Sequence, residues 1–140
     1  MFALVAASAW SAEESAPQSA KTTRFDGVWS VTVVCADYKD AGVGAKGYTL
    51  RMLGEVKNGQ FEGQRGKPGE PGSLRYSGRI QPDGSAEFQA NGFTGNPEYT
   101  PGRLVAATPY AYRLTGQFDE RRGTGKRLDA RPCEATFVKQ

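Results

Sequence analysis

Tyr48, Tyr76, Tyr110 and Tyr112, with Trp29, Phe61 and Phe88, sit at alternate positions of apolar–polar runs, so their rings fall on one side of the strands that carry them. Inward tyrosines in a β structure do one of two things. They fill the core with the hydroxyl reaching its rim, or they wall a pocket that grips an apolar or aromatic ligand. Gly54, Gly63, Gly78 and Gly116 share the inward side. Small residues there either leave room for such a ligand or mark bends where a small sheet must curve. Phe93 and Tyr99 lie in a stretch, 91–109, where periodicity is lost. Loops of that length inside a compact domain commonly bind or act as lids. Trp29, Tyr48, Tyr76, Tyr112, Phe93 and Tyr99 are therefore the candidate ligand-binding residues.

Other chemistries find less support. The chain has no histidine. That removes Ser-His-Asp and Cys-His catalysis, histidine zinc sites and any histidine pH switch. Paired-carboxylate hydrolysis needs two acids converging in a cleft. Here Asp37, Asp40, Asp83, Asp119 and Glu120 read as turn residues, and Glu55, Glu62 and Glu87 as outward-facing ones. The run Arg121-Arg122-Gly123-Thr124-Gly125-Lys126-Arg127 is the densest positive charge, but it lacks the spacing of a phosphate loop and the interleaved aromatics of a nucleic-acid surface. Alternation sends its side chains to opposite faces, with Asp119, Glu120 and Asp129 close by, so a solvated turn is expected. The net charge of +3 demands no polyanionic partner. No catalytic residue, metal or cofactor is expected, and the protein is not read as an enzyme.

The two cysteines, Cys35 and Cys133, sit in no motif that marks a nucleophile. Cys35 shares its face with Trp29, Val31 and Val33, and Cys133 shares its face with Ala135 and Phe137. A disulfide between them would tie the first strand to the last, which is how a sheet closes on itself.

The elements that position these residues are strands. Eighteen glycines and eight prolines point to turns in place of helices. Tyr48, Leu50, Met52 and Val56 share a face, and Asn58-Gly59 predicts a type I′ hairpin with Val56 opposite Phe61. Residues 66–72 read as a surface loop. Leu74, Tyr76 and Ile80 point in, and Pro82-Asp83-Gly84 turns the chain into Ala86, Phe88 and Ala90. A short strand or helical turn is possible around 103–107. Tyr110, Tyr112, Leu114 and Phe118 form the next inward face, followed by a strand at 123–128 whose glycines leave its facing open, and by the Cys133 strand. The fold class is all-β: an antiparallel meander of seven or eight strands closing into a small barrel, since closure removes exposed edges. A two-sheet sandwich is the alternative.

Residues 1–12 read as a trimmed signal peptide, with an apolar start and an A-x-A site at Ala7-Ser8-Ala9. Residues 13–24 are small and polar, a disordered linker. Residues 25–140 form one barrel domain. No apolar run is long enough to span a bilayer. The expected compartment is periplasmic or secreted.

Gly27-x-Trp29 on a first strand, followed by a meander, resembles the opening of the calycins, the superfamily of lipocalins and avidins. In that superfamily the tryptophan closes one end of the barrel. No biotin-site signature follows Trp29, so biotin binding is not implied. Phe25–Val31, Thr94-Gly95-Asn96-Pro97, Arg122-Gly123-Thr124-Gly125 and Arg131-Pro132-Cys133 through Lys139 also resemble small exported bacterial β-domains, a likeness that brings no activity with it. The expectation is an exported, non-catalytic barrel that binds a small apolar or aromatic ligand, or an extracytoplasmic protein, at its open end. The alternative is an inhibitor or accessory subunit presenting the 91–109 loop to a secreted enzyme.

Overall fold

Period-two alternation builds eight strands in this chain. They are β1 (Gly27–Cys35), β2 (Tyr48–Lys57), β3 (Gln60–Arg65), β4 (Leu74–Ile80), β5 (Ser85–Phe93), β6 (Pro109–Phe118), β7 (Arg122–Arg127) and β8 (Cys133–Lys139). The computed structural model describes residues 22–39, 44–129 and 131–140. The signal-peptide reading, the linker up to residue 21 and Asp40 lie outside the described residues. Each strand pairs antiparallel with its sequence neighbour, and β1 pairs with β8, so the meander closes into a barrel and not a sandwich. Among the described residues no helix is long and apolar enough to cross a membrane.

Closure is fixed by the seam. Along β1 and β8 the register runs from Trp29 opposite Lys139 to Cys35 opposite Cys133, and those two cysteines form the disulfide. The Asn58-Gly59 hairpin has both residues at positive φ (52° and 80°), as a type I′ turn requires, and sets Val56 opposite Phe61.

The two ends of the barrel differ. The β2–β3, β4–β5 and β6–β7 connections are tight turns and all lie at one end. Phe25 is fully buried there as a plug, edge-on to Phe118 at 6.3 Å, and its carbonyl accepts the Trp29 indole N–H at 2.9 Å. Arg24, the last residue assigned to the linker, spans this end, donating to the Pro82 carbonyl at 3.0 Å and to Glu120 at 3.3 Å. The opposite end carries the longer connections: 36–47, 66–73, 94–108 and 128–132. The disulfide sits at this open end.

The closed half is solid. Phe61, Phe88, Phe118 and Phe137 pack with ring centroids 4.8–5.8 Å apart, and Trp29 lies edge-on to Phe118 at 5.4 Å. The inward glycines seat these rings. A Cβ at Gly54 would come within 2.3 Å of the Phe61 ring, and one at Gly78 within 2.4 Å of Phe88 and 2.3 Å of the Glu87 carbonyl. Gly63 also abuts Phe61, and Gly116 abuts the Thr124 carbonyl. These glycines therefore leave no ligand space.

Two sequence expectations need correction. The long loop is shorter than 91–109. Asn91–Phe93 continue β5 and Pro109 opens β6, paired as Asn91–Ala111, Gly92–Tyr110 and Phe93–Pro109. Alternation is hard to see there because the inward residue is Gly92, whose missing side chain admits the Tyr110 ring (a Cβ would approach it to 2.6 Å). The helical turn lies at Pro97–Tyr99, not 103–107. Proline presets its first turn, and the Asn96 side chain accepts the Glu98 N–H at 3.0 Å.

Candidate ligand-binding mouth

Strand parity places Tyr48 and Leu50 of β2 and Tyr110 of β6 at the open end, half-buried and packed on the core. Deeper down, Tyr76 and Tyr112 are buried edge-to-face with their hydroxyls 2.8 Å apart, so each satisfies the other. At the open end lies a cavity of about 460 Å³, walled by Tyr48, Leu50, Phe93 and Tyr110 and by the 94–108 loop through Thr94, Tyr99 and Leu104. That volume lies within the range of small-ligand sites, about 300–1,000 Å³.

The 94–108 loop is held as a fixed wall. Buried Thr94 bridges it: its hydroxyl donates to the Val105 carbonyl at 2.6 Å and accepts the Thr108 N–H at 2.9 Å, and its backbone pairs with Thr108 and Ala107. Thr100 Oγ1 accepts the Leu104 N–H at 2.9 Å. Tyr99 leans edge-on against Tyr48 at 6.3 Å.

Three guanidinium groups converge on the mouth, and the described lining residues include no Asp or Glu. Arg65 ends β3 and donates to the Gly72 carbonyl at 2.8 Å. Arg127 ends β7 and lies over the Tyr112 ring at 4.2 Å, ion-paired to Asp129. Arg131 is 4% exposed and packs on the Tyr48 ring at 4.9 Å. Its Nη1 donates to the Tyr99 carbonyl at 2.6 Å, and its Nη2 to the carbonyls of Lys46 at 2.7 Å and Ala36 at 3.5 Å. One side chain thus ties together three of the four open-end connections. Burial pushes the Arg131 guanidinium below the usual arginine range, and it remains a cation at neutral pH.

Of the six candidate residues, Tyr48, Phe93 and Tyr99 line the cavity, whereas Tyr76 and Tyr112 are buried in the core and do not line it. Trp29 is fully buried at the closed end and belongs to the other half of the barrel. Phe93 reaches the cavity from the end of β5 and not from a free loop. Tyr110 and the three arginines were not among the sequence candidates. The expectation of a solvated basic turn fails at Arg127: Gly123 and Gly125 face inward against Phe137 and Ala135, which carries Arg127 to the inner side. Parity of Gly123, Gly125 and Arg127 was the available signal. Arg131 had no local signal, because its burial comes from loops distant in sequence.

A larger hollow, about 1,030 Å³, runs along the outer face of β3–β6 past Gln60, Arg79, Glu87 and Arg113. Charged side chains border it, and Arg113 and Glu87 already face each other at 3.7 Å. The mouth, with Tyr48, Tyr99 and Tyr110 in its walls, is the better site. No family model matches this chain, and no curated protein or solved structure shows significant similarity to it.

Proposed function

We propose that this is an exported, non-catalytic binding barrel whose open mouth takes a compact ligand with an apolar or aromatic body. The observation that carries the reading is the cavity of about 460 Å³ at the open end, walled by Tyr48, Leu50, Phe93, Tyr99 and Tyr110. A braced loop and a disulfide-pinned rim make that cavity pre-formed, which lowers the ordering cost of binding. The Cys35–Cys133 bond supports a periplasmic or secreted location, because such bonds persist in oxidising compartments. Trp29 beneath the Phe25 plug supports the calycin-like reading of the first strand.

Native mass spectrometry of protein purified from its own source tests the proposal. A discrete mass adduct is expected, lost in Leu50→Trp, where an indole on the inner face fills the mouth. A wild-type protein that binds no small molecule, either as purified or when titrated with aromatic compounds, would remove the basis of the reading.

A second reading is supported by one observation. Val105 is 74% exposed on the 94–108 loop while its carbonyl is held by the Thr94 hydroxyl, the form in which an inhibitor or accessory subunit would present a side chain to a secreted enzyme. Val105→Asp separates the two: it should abolish such an interaction and leave small-molecule binding unchanged.

A further inference from the structure

The charges around the mouth are unevenly compensated. Arg127 has Asp129 as its counter-ion. Among the described residues neither Arg65 nor Arg131 forms an ion pair, and both rest on backbone carbonyls. Arg131 Nε is buried with no acceptor among the described residues. Asp37, whose field reaches Arg131, already accepts the Gly47 N–H at 2.6 Å. A desolvated guanidinium without a counter-anion is costly, and that cost falls when an anion enters the same low-dielectric space. The mouth therefore has the two halves of one recognition problem: flat aromatic walls and an unbalanced positive rim.

We infer that the ligand is an aromatic carboxylate, its ring against Tyr48 and Tyr110 and its carboxylate toward Arg65 and Arg131. The inference rests on the binding reading above and specifies the ligand class. A monoanion fits better than a phosphate ester. Arg131 has committed its Nη groups to Tyr99, Lys46 and Ala36 and its Nε is buried, so Arg65, with one N–H on Gly72 and four uncommitted, is the main partner, and a single guanidinium matches the two oxygens of a carboxylate.

Calorimetric titration of the disulfide-intact protein with three probes of one shape decides the matter: 2-naphthoate, the uncharged 2-naphthamide, and 2-naphthyl phosphate. The expected result is that naphthoate binds at least about ten-fold tighter than the amide, as one charge-assisted contact implies. Arg131 ties three loops together, so its variants test folding as much as binding; Arg65→Gln is the diagnostic change. In Arg65→Gln the ratio of naphthoate to amide affinity should fall several-fold, and an unchanged ratio overturns Arg65 as the carboxylate's partner. Equal binding of naphthoate and amide overturns the carboxylate assignment and leaves the binding mouth intact. Tighter binding of the phosphate overturns the choice of a monoanion. Failure of all three probes overturns the mouth itself, and this inference with it.

Discussion

The tyrosine hydroxyls of the mouth carry a pH signature. Burial pushes Tyr110 up to about 12 from its ordinary 10.0, and burial likewise raises Tyr76 and Tyr112. Above the ordinary value the unfolded chain releases protons that the native state keeps, so stability falls as pH rises from about 10 toward 12. Below that window these groups are protonated in both states and contribute no slope. Urea midpoints measured across alkaline pH should decline from about pH 10, and the decline should be shallower in Tyr76→Phe/Tyr112→Phe. Each single change leaves one buried hydroxyl without its partner 2.8 Å away and should cost about 1–3 kcal/mol, whereas the double change should cost less. A midpoint series in which the double variant loses the sum of the singles would show that the hydroxyl pair is not coupled. Gly78→Ala tests the solid half. Its methyl would press on Phe88 and the Glu87 carbonyl and should destabilise by about 1–3 kcal/mol.

At the level of elements, the barrel divides into a half built by strands and a rim built by connections. Thr94 belongs to the rim. Thr94→Val removes a buried hydroxyl that both donates and accepts, and should cost about 1–3 kcal/mol while loosening the wall that carries Tyr99. The expected readout is faster amide exchange confined to 94–108 together with weaker ligand binding; unchanged exchange would mean that the brace lies elsewhere. The same division explains what could be read from sequence. Trp29, Val31, Val33 and Cys35, or Leu74, Tyr76 and Ile80, announce their side by parity alone, and the Asn58-Gly59 turn fixes a register. Those signals are local. The rim is not local: Arg131 is buried by carbonyls 32, 85 and 95 residues away, and no window of sequence holds that information. The β5–β6 boundary was obscured because Gly92 holds an inward position with no side chain to reveal it.

At the scale of the molecule, the Cys35–Cys133 bond spans 98 residues. The chain-entropy account gives such a bond about 4–5 kcal/mol, comparable to the 5–15 kcal/mol of a whole domain. Reduction, or Cys35→Ser, should lower the melting temperature sharply, as scanning calorimetry of the oxidised and reduced forms would show. The position of the bond also governs how the barrel bears load. The chain enters and leaves the seam at the closed end, where Trp29 faces Lys139, and the bond lies at the far end of the same seam. Tension applied through Arg24 and Gln140 would part the β1–β8 seam pair by pair, then stop at the sulfur–sulfur bond. Everything between Cys35 and Cys133 lies outside the path of the force. An optical trap should therefore record an extension of roughly 60 Å for the oxidised protein and roughly 400 Å once reduced, at about 3.5 Å per freed residue. The covalent bond keeps β2 to β7 out of the path of the force, so the segment that it closes bears no tension while the termini are pulled apart.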